Sequence, residues 1–350
     1  MKSRERVQNA ILHKEADRVP KGEVYIQPEL ANRILGRTYS LNYQDFDRDV
    51  AIRKKLNMDL VNVGEWPEWQ IGVSENGHKL VQSIYGQIYE ITDKTKHIVQ
   101  EAIDIEDAEN YRKPDCQFVT GQLVERYVKE TEFFVFAQIG GPVSMVDEMY
   151  TMEDYMVYCL TNTEEMYQIS QKVIAFEIKK AKLFIDKGAD AILIADDMAF
   201  NTGVFLPPYI MEENVYPFYT QMIQEIKAYK DVPIFLHSDG NLNSVMDELV
   251  ACGFDGLQSL QPSAGMDIRE IKEKYGSRLC LWGNIDLDYI MCFGSQEEVR
   301  ADVRKTIDIA APGGGFILST CNTMVDIIPP ANIFAMMEEA EKPAYTDEKP

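Results

Sequence analysis

The sharpest chemical signal in the chain is the run His237-Ser238-Asp239-Gly240, which closes the apolar stretch PIFLH. It holds the only histidine of four placed at such an end: His13 falls on a first helix, and His78 and His97 fall in an insertion. An imidazole there can be a hydrogen-bonded structural residue, a general acid or base, or a metal ligand. Asp239 beside it, and Cys321 at the end of another apolar stretch, favour a ligand, since His, Asp and Cys all bind zinc. Other chemistry-bearing residues also follow apolar runs. Glu65 and Trp66 follow LVNVG, Gln138 follows FFVFA, and Asp196 and Asp197 follow AILIA, with Asn201 soon after. Gln261 follows DGLQSL, Asn284 and Asp286 follow LCLWG, and Cys321 and Asn322 follow FILST. This set is rich in acids and has no Arg or Lys. Close carboxylates without a cation resist ionisation. A bound divalent metal resolves that conflict most simply. Two plainer readings stand beside it: Cys321 as a small buried side chain, and one of Asp196 and Asp197 as a cap of the next helix.

Eight apolar runs would position these residues: 22–26, 60–64, 133–137, 191–195, 233–237, 255–260, 279–283 and 316–320. Most are nearly continuous, as expected of parallel strands covered on both faces. Helical spacing lies between them, over 162–187 with Gly188 as stop, 242–252 before Gly253, 268–275 before Gly276 and 296–311 before Pro312. Eight strands with interleaved helices predict an α/β fold, a (β/α)8 TIM barrel with its chemistry at the carboxyl ends of the strands. The 350 residues exceed the roughly 250 a barrel needs. The surplus fits an N-terminal helix over 5–13 and an insertion over 66–132 that overhangs the mouth, with a hairpin at 79–92 around Gly86. One domain over 1–350 is the simplest account. Trp66, Trp69, Tyr85 and Phe205 are candidates for an apolar wall at the mouth. Gly313-Gly314-Gly315 precedes the last strand and reads as a tight turn at the barrel bottom.

The net charge of −22, from 35 basic and 57 acidic residues, argues against nucleic acid or an anionic membrane surface as main partner. No apolar run approaches the length of a membrane span, and the first residues do not read as a secretory signal. Six scattered cysteines with no CxxC pair suggest reduced thiols and a cytoplasmic location.

The segments GADAILIADDMAFNTG, PIFLHSDGN, GFDGLQSLQP, MDIREIKEKYG, LWGNID and GGGFILSTCNT followed by IPPANI resemble the uroporphyrinogen decarboxylase superfamily over about 130–342. RERVQNAILHKEADRVP is similar to that superfamily's opening. The resemblance implies a (β/α)8 barrel and one of two chemistries. Decarboxylases of the superfamily carry an arginine-bearing segment after the first strand; this chain reads Val24-Tyr25-Ile26-Gln27-Pro28. Its zinc-dependent, corrinoid-linked methyltransferases include thiol methylases with a His-x-Cys pair on the fifth strand and a cysteine after the eighth. Here the pair is His237-x-Asp239, and Asn322 falls where that cysteine would stand. The run His-Ser-Asp-Gly-Asn is closer to the methyltransferase components of O-demethylases. The resemblance therefore implies a zinc enzyme moving methyl from a methoxylated small molecule to cob(I)alamin on a partner corrinoid protein. His237, Asp239, Cys321 and Glu65 are its candidate ligands, and Asp196, Asp197 and Asn284 its candidate catalytic residues. Trp66, Asn201, Gln261 and Asn322 are its candidate substrate contacts, and a homodimer is left open. A decarboxylase, a methylcobalamin:thiol methyltransferase and a non-catalytic corrinoid-binding module are the alternatives.

Overall fold

The computed structural model describes residues 1–92 and 95–344; residues 93–94 of the expected insertion and 345–350 of the expected domain lie outside the described residues. In chain order the strands are β1 Leu60–Gly64, β2 Glu68–Val73, β3 Lys79–Ser83, β4 Ile88–Ile91, β5 Lys96–Gln100, β6 Phe134–Gly140 and β7 Ala191–Ala195. There follow β8 Ala199–Phe200, β9 Gly203–Val204, β10 Ile234–Ser238, β11 Gly256–Ser259, β12 Cys280–Ile285 and β13 Phe316–Thr320. Seven of these form one parallel sheet, ordered β1-β6-β7-β10-β11-β12-β13. Helices alternate with them in the chain. The fold is the (β/α)8 barrel that the strand count predicts.

The expected first strand, 22–26, differs from the other seven. It meets the β13 side through single parallel bridges, Lys21 to Leu318 and Ile26 to Met324. On the β1 side a buried guanidinium stands where a ladder would run. Arg53 Nη1 donates to Glu23 O at 2.9 Å and to Leu60 O at 3.1 Å. Asp59 N adds a bond to Lys21 O at 2.8 Å. Pro20 and Pro28 flank the segment and lack N–H groups to extend the pairing. The barrel is thus closed by a side chain as much as by strand pairing.

Inside the barrel, alternate residues of each strand point inward. Leu60, Phe134, Phe136, Leu193, Phe235, Trp282 and Ile317 form the lower interior. Val7, Ala10 and Ile11 of the helix Ser3–Ile11 pack against them from below, so this helix plugs the bottom. Full burial of each large side chain contributes about 1.5–3 kcal/mol. Gly256 makes room for the Phe235 ring: a Cβ there would lie 2.1 Å from Phe235 Cε1. Gly313, Gly314 and Gly315 all take left-handed φ, +77°, +75° and +72°. A Cβ on Gly314 would meet Lys14 N at 2.5 Å. They form a tight turn against the end of the plugging helix, as their position before β13 implies.

The insertion is larger in structure than the single hairpin expected. β3 and β4 pair antiparallel, and β2 and β5 extend them to a four-stranded sheet. The helix Gln122–Glu130 buries Val124 and Tyr127 and packs on β1 and β6, so it belongs to the barrel although it lies within the expected 66–132 insertion. Among the described residues no helix is long and apolar enough to cross a membrane.

Candidate functional site

The inward parity that buries Phe235 continues up β10 and carries His237 into the barrel above it. Its partner in register on β11 is Gln258. The His237 Nδ1 and Gln258 Oε1 are hydrogen-bonded. An amide oxygen only accepts, so Nδ1 carries the proton and the Nε2 lone pair is left for another partner. Nε2 faces Asp197, 3.7 Å from Oδ1. β7 follows the same parity: Ala191 and Leu193 point inward, and Asp197 emerges on that side at the mouth.

Asp239 completes the group. One atom each of Asp197, His237 and Asp239 lies within 4.8 Å of the other two. Asp239 Oδ1 is 2.7 Å from the Ser259 hydroxyl, Oδ2 accepts from Asn322 Nδ2, and its N–H donates to Asp197 Oδ1 at 2.8 Å. Ser259 and Leu260 take left-handed φ, +97° and +56°, rare for residues with a side chain. This strained turn brings the Ser259 hydroxyl to Asp239. Asn284 Nδ2 donates to Leu260 O, which secures it. Gly240, at φ +84°, lets the loop pass the chain at β8, where a Cβ would lie 2.4 Å from Ala199 O. Burial alone would lower the His237 pKa, but the charges of Asp239 and Asp197 and the bond to Gln258 outweigh it and raise it. Asp239 is raised by burial and by Asp197, against the pull of His237. Two hard oxygens and one imidazole nitrogen at this spacing could hold a divalent ion and leave a coordination position open.

Beside this group lies a cavity of about 630 Å³. Trp66, Tyr43, Tyr85 and Tyr89 form much of its wall, and Glu148, Asp197, His237 and Lys96 add charge. Of the expected aromatic wall, Trp66 and Tyr85 take part. Trp69 is exposed and meets Phe118 edge-on, and Phe205 packs against Phe200. One face of Trp66 is covered by the buried Lys180, whose Nζ is 3.5 Å from the ring centre. Lys96 reaches the cavity from β5 and pairs with Glu68, so the site does contain a cation that the strand-end inventory lacks.

The other expected site residues are placed as follows. Asp196 is fully buried and points away from the mouth. Its oxygens accept from Val143 N at 3.1 Å, from Ser144 N at 2.6 Å and from the Tyr219 hydroxyl. Burial raises it to about 7. It fixes the loop ahead of the helix Ser144–Asp147, an earlier element and not the next helix that the capping alternative names. Asn284 is buried in the turn described above. Glu65 accepts from Thr120 N at 2.7 Å and from its hydroxyl at 3.1 Å, outside the three-donor group. Cys321 is buried and also outside that group; burial pushes its thiol up to about 12. Asn322 supports Asp239, and Gln261 accepts from Gly240 N at 3.0 Å. Asn201 is exposed, its Oδ1 3.5 Å from Gln261 Nε2. Sequence reasoning missed Gln258, Glu148 and Lys96. Parity along β11 would have shown Gln258; nothing local marks the other two.

Comparison with known proteins bears on the ancestry of this site. The uroporphyrinogen decarboxylase (URO-D) family model matches residues 84–343. A methylcobamide:CoM methyltransferase MtaA of Methanosarcina barkeri is 27% identical over 185 residues, 52% of each chain. The chain therefore spans about half the length of that relative. A methylcobamide:CoM methyltransferase MtbA of Methanosarcina acetivorans is 24% identical over 258 residues, 71% of each chain. A uroporphyrinogen decarboxylase of Chlorobium luteolum is 27% identical over 209 residues, 59% of this chain and 55% of its own. A solved methyltransferase from Methanosarcina mazei superposes with a TM-score of 0.77 at 18% identity, covering 98% of this chain and 99% of its own, and shares the fold. The extent of the family match, and a barrel whose mouth carries the motif residues, lead to one conclusion: the chain belongs to the uroporphyrinogen decarboxylase (URO-D) family.

Proposed function

We propose that this protein is a corrinoid-linked methyltransferase, one domain over 1–350. It takes methyl from a methoxylated small molecule and passes it to cob(I)alamin on a partner protein, with zinc held by Asp197, His237 and Asp239. The observation that carries this reading is the trio itself, two oxygens and one nitrogen within 4.8 Å, opening on an aromatic-walled cavity. Bound there, zinc would supply positive charge to an ether oxygen as that oxygen becomes a leaving alkoxide. The chain's residues do the rest. Gln258 holds the His237 ring and its tautomer, and Asn322 and Ser259 orient Asp239. Trp66, Tyr43, Tyr85 and Tyr89 offer apolar faces to the methyl donor. The six unpaired cysteines accord with a reducing, cytoplasmic setting.

A second reading, methylation of a thiol from a methylated corrinoid, is favoured by the names of the Methanosarcina relatives. The donor trio weighs against it. Thiolate ligands give charge to a metal and make a bound thiol more nucleophilic; carboxylate oxygens leave it a stronger acid toward an ether oxygen. The two readings separate in one assay. Purified protein is mixed with a reduced corrinoid protein and a panel of methoxylated compounds, and in parallel with methylcobalamin and coenzyme M. Appearance of the methylcobalamin spectrum in the first arm is the expected result. Activity in the second arm alone would replace the proposal with thiol methylation.

A further inference from the structure

The cavity wall contains one acid with no assigned task. Asp197 faces His237, and Glu68 is paired with Lys96. Asp196 and Glu65 are committed to loop hydrogen bonds. Glu148 lines the same cavity, and among the described residues its carboxyl has no hydrogen bond or ion pair. Its backbone is well held. Its N–H donates to Ser144 O at 2.9 Å, and its carbonyl accepts from the Tyr89 hydroxyl at 3.1 Å. The loop that carries it is in turn fixed by Asp196 through Val143 and Ser144. An acid whose backbone is held by both the barrel and the insertion, and whose carboxyl is exposed on the cavity wall, is placed to meet a molecule that enters the cavity.

We propose that Glu148 is the proton donor to the leaving oxygen of the methyl donor. This rests on the methyl-transfer reading above. The methyl carbon–oxygen bond breaks with its electron pair remaining on oxygen. The methyl carbon takes the electron pair of Co(I) in the partner's corrinoid, and the Glu148 carboxyl gives its proton to the oxygen. The carboxylate left behind regains a proton from water entering the open cavity. The surroundings suit this task. The carboxyl is open to the cavity, and partial desolvation by the cavity wall raises it to about 7; Lys96 opposes the rise, while Asp147, Glu68 and Asp197 add to it. A pKa near neutrality matches a general acid working there.

The test compares wild type, Glu148→Gln and Glu148→Asp in single-turnover methyl transfer, on an unactivated methyl ether and on a nitro-substituted aryl methyl ether. A nitrophenolate leaves without needing a proton. Glu148→Gln is expected to slow the first substrate about 100-fold and the second by less than about 5-fold. Glu148→Asp should recover part of the loss, with zinc content and substrate affinity unchanged. Equal loss on both substrates, or no loss on either, overturns the assignment. An infrared pH titration of the resting protein reads the same group without turnover. The wild-type minus Glu148→Gln difference should show a protonated-carboxyl band that fades as pH rises through about 7. That result supports the assignment even if the methyl donor proves to be of another class. Absence of the band at about pH 6 overturns it, whether or not the proposed reaction fails.

Discussion

Asp196→Ala separates a loop-holding role from a catalytic one. Three donors converge on the Asp196 carboxyl: Val143 N, Ser144 N and the Tyr219 hydroxyl. The approach is close, since a Cβ on Gly141 would lie 2.3 Å from Asp196 Cγ. Alanine strips the acceptor from all three. Each buried donor left without a partner costs about 1–3 kcal/mol. Removing an acid that burial already holds near 7 returns part of this. The net loss should be about 3–6 kcal/mol, read as a lower urea midpoint at constant slope. Asp196→Asn keeps one acceptor oxygen and should lose about half as much. Urea unfolding by fluorescence and circular dichroism, with coincident transitions, measures both. If Asp196→Ala keeps wild-type stability and structure yet loses methyl transfer by more than two orders of magnitude, the loop-holding argument is refuted and Asp196 belongs to the chemistry.

Three further outcomes are expected. Glu23 is fully buried and raised to about 8, chiefly by burial, against an ordinary value of 4.5. Between these values the folded state holds a proton that the unfolded state has released, so stability falls as pH rises, by at most about 1.4 kcal/mol per pH unit. Glu23→Gln should therefore gain on wild type by up to about 4–5 kcal/mol between about pH 5 and 8; a difference independent of pH in urea titrations would contradict this. Gly240→Ala puts a Cβ against Ala199 O at left-handed φ and should cost about 2–5 kcal/mol and displace Asp239; thermal unfolding at wild-type temperature would argue against that close approach. Tyr85→Phe removes the hydroxyl bond from the insertion to the buried Glu177. Hydrogen exchange should then quicken in β2–β5 more than in the barrel strands, and uniform protection across both would show that this bond does not anchor the insertion.

Seven barrel strands were legible because parallel strands covered on both faces read as continuous apolar runs. The 22–26 run is less continuous, with Glu23 in it, and its pairing with β1 is replaced by Arg53, a residue on the helix Phe46–Lys55 that no local pattern ties to it. The donor trio was only half legible. His237 and Asp239 stand out because they close an apolar run. Asp196 and Asp197 are neighbours of one type, and strand parity alone separates them: Ala191, Leu193 and Asp197 share the inward side, and Asp196 takes the other. Cys321 drew attention as a thiol at a strand end, but its chemistry depends on burial that the sequence does not display. Glu148 and Lys96 come from a loop and from the insertion, where tertiary placement decides what reaches the cavity.

The most direct measurement is the metal content of the purified protein after zinc supplementation and removal of free metal, with His237→Ala, Asp239→Ala and Cys321→Ser prepared alongside. The account predicts about one zinc per chain in wild type and in Cys321→Ser, and little in the His237 and Asp239 variants. Wild type without stoichiometric zinc, or zinc lost from Cys321→Ser while His237→Ala keeps it, would contradict the proposed site.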